Sequence, residues 1–315
     1  MMISRIKTIL WAVWMLGVPA LCSCGRNSGA AAESKYMERL ADTIAAIVAG
    51  YPGETGVAVI VNNTDTVAVN NQCKYPMMSV FKMHQALAVC KELDECGISL
   101  DTVLTIRRSD LDPDTWSPML KDHADAEFGL SVGELLRYTL AQSDNNASNL
   151  MFGRIAGVAP TDSFVATVIP RESFRIAYTE AEMSADHDRA YANSTSPLGA
   201  AILINRLYTD SLVSPEKQAF VAQTLRECRT GTDRIVAPLL GVPGVSVGHK
   251  TGSGYTTGEG VLVAHNDVAY VVLPDGTSYA LAVFVKDFHG NEAEAAQVIA
   301  RISAAVYGML SGEKD

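Results

Sequence analysis

Strand-type alternation brackets this chain, and helical spacing fills the stretch between. Thr55–Val61 and Thr66–Val69 alternate like paired strands around Asn62-Asn63. Alternation returns only in Val245–His249, Gly260–His265, Val268–Leu273 and Tyr279–Val285. In between, apolar residues recur with helical period over Phe81–Leu93, Val132–Gln142, Ala147–Ile155, Ser196–Tyr208 and Pro215–Cys228. Helical stretches also flank the outer strands: Lys35–Ala49, with Met37, Leu40, Ile44, Ile47 and Val48 on one stripe, and Glu292–Leu310. This pattern predicts an α/β layer built from residues 35–80 and 229–311, with an all-helical domain, residues 81–228, inserted between them. One part of the middle breaks the period. Residues 176–197 are polar and aperiodic, which predicts a long ordered loop of the kind that usually carries function.

With 48% hydrophobic and 19% charged residues in 315, the chain can bury a full core and is not disordered in composition. Aromatics at 7% and a formal net charge of −10 argue against nucleic acid as a partner. Residues 1–23 read as an export signal: Arg5 and Lys7 precede the apolar run Ile9–Leu21. That run is shorter than the roughly 20 apolar residues of a membrane span. Leu21-Cys22-Ser23-Cys24 resembles a bacterial lipobox, which makes Cys24 a lipidation site and membrane tether, with plain secretion to the periplasm as the alternative. Residues 24–34, small and polar, read as a tether to the folded body.

Cys73, Cys90, Cys96 and Cys228 fit no zinc spacing. An exported chain is permitted disulfides, yet sequence does not pair these four, and buried free thiols are the alternative. The six histidines are scattered, with no H-x-H or H-E-x-x-H, so a metallo-enzyme is disfavoured.

Three short elements carry the chemistry. Ser79-Val80-Phe81-Lys82 puts a hydroxyl and an amine on one face of a first helical turn. A serine becomes a nucleophile only when its proton is taken, and a lysine takes it only if its surroundings lower its pKa. A helix start also favours the negative charge that develops beside the serine. Ser143-Asp144-Asn145 lies between two helical stretches. Its second hydroxyl can relay a proton to a leaving nitrogen, the Asn145 amide can hold a substrate amide, and Asp144 reads as a structural hydrogen-bonder. Lys250-Thr251-Gly252-Ser253 follows strand alternation. A lysine and two hydroxyls make a carboxylate receptor, and the Ser253 N–H can act as an oxyanion donor opposite the Ser79 N–H. Alone, each element is an ordinary helix cap or turn; together, in this order, they read as an active-site-serine penicillin-recognising enzyme.

The set resembles the class A serine β-lactamases over nearly the whole mature chain. Tyr178-Thr179-Glu180-Ala181-Glu182-Met183-Ser184, Ala264-His265-Asn266-Asp267 and Val283-Phe284-Val285-Lys286-Asp287 narrow the likeness to the CfxA/PER-type cephalosporinase branch. The resemblance implies a five-stranded antiparallel sheet flanked by helices plus a helical domain, no cofactor, and a monomer acting on small-molecule β-lactams. It makes Ser79 the acylated nucleophile, Lys82 its activating partner, Ser143 the proton relay and Asn145 a substrate contact. Glu180 becomes the glutamate that activates the deacylating water, with Glu182 as a rival. Lys250, Thr251 and Ser253 take the substrate carboxylate.

Trp116 sits at the family's aromatic gatekeeper position, although a packed or surface tryptophan fits the sequence equally. Three departures stand out. Ser184 replaces the usual loop asparagine. No arginine follows Lys250 before Arg301, so Arg234 takes that place. Met78 and Gly254 stand where class A carbapenemases carry cysteines. Whether Lys82 or Glu180 is the acylation base stays open. The competing readings are a D-alanyl-D-alanine peptidase and a non-catalytic β-lactam sensor or cell-wall binding protein.

Overall fold

The computed structural model describes residues 26–312, with side chains from residue 34. The export signal and Cys24 lie outside the described residues. Helix α1 spans Arg26–Val48, so the stretch read as a tether is helical from Arg26 onward. Ala30, Ala31 and Ala32, the strongest helix formers, favour that outcome over coil.

From residue 37 the chain forms one compact unit. Strand β1 (Glu54–Val61) turns through Asn62 and Asn63, both left-handed at φ 49° and 61°, into β2 (Asp65–Val69). Asparagine tolerates that region, which is why the hairpin turns there. Short β3 (Tyr75–Pro76) leads to α2 (Phe81–Cys96). A ribbon of β4 (Val103–Arg107) and β5 (Glu127–Ser131) encloses the one-turn α3 (Pro118–Asp122). Helices α4 (Val132–Ala141), α5 (Asn145–Arg154) and α6 (Val158–Val168) follow. The predicted loop runs from β6 (Phe174–Arg175) through α7 (Glu180–Ala185) to β7 (Ser194–Thr195). Then come α8 (Pro197–Thr209), α9 (Pro215–Arg226), β8 (Ser246–Ser253), β9 (Leu262–Val272), β10 (Ser278–Phe288) and α10 (Glu292–Leu310).

The main sheet is antiparallel, in the order β2-β1-β10-β9-β8, so an early strand pairs with the last one. Both faces are covered, and β1 is buried from Thr55 to Val61. Val57, Val59 and Val61 pack with Leu40 and Ile44 of α1 and Ile299 and Ile302 of α10. Ala58 and Ile60 face the opposite cluster, where α8 packs against the sheet and α2, α4 and α5 pack together beyond it. No helix among the described residues is long and apolar enough to cross a membrane.

Three sequence expectations are revised. Gly260–His265 and Val268–Leu273 are not two strands; they belong to the single strand β9. Two consecutive polar residues, Asn266 and Asp267, look like a turn, yet both are fully buried within it. Second, residues 81–228 contain the β4–β5 ribbon and the strands β6 and β7 of the small β3-β7-β6 sheet, alongside α6, none of which the sequence pattern revealed. Third, the loop 176–197 contains a helix.

Candidate active site

Ser79 sits at the mouth of α2 because the chain before it is bent sharply. Met78 adopts left-handed φ 46°, a conformation that costs a non-glycine residue roughly 1–3 kcal/mol. Buried bonds hold the bend. The Asn266 amide donates to Pro76 O (2.8 Å) and Met77 O (3.2 Å), and Met77 N donates to Asn193 O at 2.8 Å. Gly252 of β8 lies so close that a Cβ there would collide with Met77 O. The nucleophile turn and the Lys250 strand are thereby clamped together.

Lys82, one turn on, is fully buried. Its Nζ donates to Ser79 Oγ (3.0 Å), Ser143 O (2.8 Å) and Asn145 Oδ1 (2.6 Å), and lies 2.9 Å from Glu180 Oε1. Ser79 Oγ donates to the same Glu180 oxygen at 3.0 Å. Ser143 is also left-handed, at φ 59°. That bend aims its backbone carbonyl at Lys82 while its hydroxyl accepts from Lys250 Nζ at 3.0 Å.

Asp144, the N-cap of α5, accepts from Ala147 N, Met119 N and the Ser117 hydroxyl. Burial raises its pKa, and those bonds work against the rise. Its bonding is that of a structural anchor, as the sequence indicated. Asn145 places its Nδ2 on Thr115 Oγ1 at 2.9 Å, and its oxygen faces Lys82.

The loop carboxylates separate cleanly. Glu182 closes the capping box of α7, accepting from Thr179 N at 2.8 Å and from the Thr179 hydroxyl at 3.0 Å. Glu180 turns inward to Ser79 and Lys82. Sequence favoured Glu180 but kept Glu182 as a rival, because both occupy the first turn of one short helix.

Across the cleft, β8 is the edge strand of the sheet. Gly254 N bonds to Ala264 O, so by antiparallel alternation the preceding Ser253 N–H faces away from β9 toward the open side. Lys250 is fully buried, and burial, with Lys82 nearby, pushes its pKa down to about 7 against the attraction of Cys228 and Glu180. Thr251 Oγ1 lies 2.6 Å from Thr230 Oγ1. Arg234 reaches in from the segment after α9. Its guanidinium donates to Ser253 Oγ (2.6 Å), Asn266 O (2.8 Å) and Gly252 O (3.2 Å).

Ser79, Ser143, Asn145, Glu180 and Ser253 line a cleft of about 410 Å³, with Lys82, Lys250, Thr251 and Arg234 buried behind its wall. Trp116 stands at its rim, 54% exposed, with Nε1 donating to Gln142 O at 2.9 Å. A packed tryptophan is thus excluded. The rim also carries His187 stacked on Tyr255, ring centroids 4.1 Å apart.

All ten candidate residues of the site within the described chain therefore converge. What sequence reasoning missed is the support beneath them. Asp267 accepts from Ile235 N (3.1 Å) and pairs with His249 Nδ1 (3.0 Å), so one buried carboxylate fixes both the Arg234 segment and the Lys250 strand. The available signal was a polar dipeptide in an otherwise apolar strand.

A serine hydroxyl, a buried lysine and a carboxylate in mutual contact, facing a cationic receptor on a sheet edge, define a serine acyl-transfer site. The comparisons with known proteins agree. The model of the β-lactamase enzyme family matches residues 39–310. A β-lactamase of Phocaeicola vulgatus is 64% identical, the match covering 86% of this chain and 84% of that protein. The extended-spectrum β-lactamase PER-1 of Pseudomonas aeruginosa is 33% identical over 85% of this chain and 86% of its own length. A crystal structure of a class A β-lactamase from Bacteroides cellulosilyticus superposes with TM-score 0.83 at 32% identity, covering 88% of this chain and 99% of that one. The chain belongs to the β-lactamase family and is a class A serine β-lactamase, a hydrolase of β-lactam antibiotics.

Proposed function

We propose that the protein is a cephalosporin-preferring β-lactamase that works through an acyl-enzyme on Ser79. The contact that carries the reading is the Ser79 hydroxyl donating to Glu180 while Lys82 donates to the same hydroxyl. Lys82 Nζ has four oxygens within bonding distance, and the Ser79 hydroxyl donates to Glu180, which favours Glu180 as the base for acylation. Ser79 attacks the lactam carbonyl, and the N–H groups of Ser79 and Ser253 receive the oxyanion. Ser143, held by Lys250, passes a proton to the departing nitrogen, and the proton that Glu180 took from Ser79 returns through Lys82 to Ser143, leaving Glu180 a carboxylate again. Glu180 then takes a proton from water as that water attacks the ester.

Lys250, Thr251, Ser253 and Arg234 receive the substrate carboxylate, and Asn145 the side-chain amide. All these side chains come from one chain, which supports action as a monomer. Export by residues 1–23 and lipidation of Cys24, giving a periplasmic or membrane-anchored enzyme, belong to the same proposal on sequence pattern. The 81–228 insertion is proposed as the helical domain that supplies Lys82, Ser143 and Glu180. A peptidase or a sensor shares the acylation groups, whereas a carboxylate in contact with the nucleophile favours turnover.

Cephalosporin preference rests on the broad Trp116 rim, the Ser184 substitution and the likeness to PER-1, whose name marks it as extended-spectrum. Steady-state kinetics on one cephalosporin, one penicillin and one carbapenem test it. The expected order of kcat/KM places the cephalosporin first and the carbapenem last. A carbapenem ranking first would remove the specificity claim and leave the hydrolase assignment intact.

A further inference from the structure

Part of the cleft wall comes from two separate stretches of chain, the 176–197 loop and the turn that follows β8. The loop contributes Met183, Ser184, His187 and Ala190, and the turn contributes Gly254 and Tyr255. The turn is held by the sheet. Gly254 N donates to Ala264 O at 2.8 Å and Val263 N donates to Tyr255 O at 3.0 Å, so pairing to the β9 side fixes the backbone at both residues. A Cβ at Gly254 would collide with Ala264 N, which seats the turn tightly there. The loop is tied to the sheet further along. Tyr191, at the end of the short helical turn His187–Tyr191, donates its hydroxyl to Asp287 Oδ1 at 2.6 Å.

A ring contact joins loop and turn. The exposed His187 stacks on the half-buried Tyr255, with centroids 4.1 Å apart and 28° between the planes. The Tyr255 hydroxyl adds a long hydrogen bond, 3.4 Å, to His187 O. A single stack and a bond of that length make a weak link, which can part when a ligand supplies contacts of its own. Beside the link the wall is apolar. Met183 and Ala190 line the cleft although they are only 5% and 1% exposed. Residues that face the cleft yet hardly meet solvent mark an enclosed recess, and the stacked rings join the two segments that bound it.

We propose that the His187–Tyr255 pair is a specificity-determining gate for the acyl side chain of the substrate: closed beside small side chains, it parts for bulky apolar or aromatic ones, which enter the recess against Met183 and Ala190. The proposal rests on the reading that Ser79 opens cephalosporins. Neither ring has a part in the acylation or deacylation chemistry, so the pair acts on which substrate is accepted and not on how it is cleaved.

The effect follows from populations. A bulky side chain binds only the parted form, so its apparent affinity is lowered by the fraction of molecules in which the rings are apart. A small side chain binds either form and is indifferent to that fraction. Removing one ring leaves the enzyme permanently parted and should help the bulky substrate alone. The gain should appear in KM, because the bonds that react are the same in both substrates.

The test compares two cephalosporins with one nucleus, the first carrying an acetamido side chain and the second a branched aryl side chain. Steady-state kinetics are measured on the full chain as wild type, His187→Ala, Tyr255→Ala and Tyr255→Phe. The ratio of kcat/KM, bulky over small, should rise ~3–10-fold in both alanine variants through a lower KM for the bulky substrate. Tyr255→Phe, which keeps the ring, should stay within ~2-fold of wild type. Each ratio is read within one preparation, so partial unfolding of a variant or a displaced Glu180 lowers both rates alike and cancels. A ratio that is unmoved in the alanine variants would mean the rings are inert, and one that falls would mean they hold the side chain; either overturns the gate while leaving the hydrolase reading intact. A wild type that turns over neither cephalosporin would overturn both.

Discussion

On the nucleophile side of the cleft, Ser79, Lys82, Ser143 and Asn145 come from the starts of two helices, and each element is nearly contiguous in sequence. On the carboxylate side, Lys250, Thr251 and Ser253 lie on one sheet edge and depend on residues brought from elsewhere: Arg234, Thr230, His249 and Asp267. Strain and saturated hydrogen bonding hold the first wall, with left-handed Met78 and Ser143 fixed by Asn266 and Lys82. Buried charge holds the second, with Arg234, His249 and Lys250 arranged around Asp267. The first wall should therefore fail in chemistry when altered, and the second in binding and pH response.

The largest contrast is expected within the loop. Glu180→Gln should still acylate but lose ~10²–10⁴-fold in turnover as the acyl-enzyme accumulates. Glu182→Gln, which removes only a helix cap, should turn over nearly normally with a small drop in Tm. Stopped-flow and intact-mass measurements on both variants check this, and an exchange of their behaviour would reverse the assignment.

On the other wall, Arg234→Ala should cost about 2–3 kcal/mol in kcat/KM for carboxylate-bearing substrates, the range of a charge-assisted hydrogen bond. The loss should appear mainly in KM. A loss confined to kcat would erase the division between the walls.

A smaller effect concerns pH. Lys250 has its pKa depressed to about 7 by burial, so in the free enzyme it is charged below that value and neutral above it. Attraction for a carboxylate is present on the acid side and lost as pH rises. kcat/KM for a carboxylate-bearing cephalosporin should then decline above pH about 7 and decline less for its methyl ester. Parallel profiles for acid and ester would contradict the receptor role of Lys250.

The nucleophile wall was legible in the sequence because its groups lie a few residues apart, within one helical turn or one inter-helix turn. The carboxylate wall was legible only on its strand. The strand reading broke at Asn266 and Asp267 because sequence pattern assumes that adjacent polar residues seek water, and here buried partners satisfy them instead. Glu180 was chosen from the sequence, but setting aside the rival Glu182 needed the cap geometry of Thr179, which spacing does not encode. Helix α6 and the β4–β5 ribbon escaped notice because their short apolar runs match neither period over a useful length.

The central claim is that Ser79 is acylated and then freed by water. Intact-mass spectrometry of the purified full chain mixed with excess chromogenic cephalosporin tests it directly. The account predicts many equivalents consumed per enzyme, a transient adduct mapping to Ser79, and no adduct on Ser79→Ala. One equivalent consumed with a lasting adduct, or an adduct on any other residue, would contradict it.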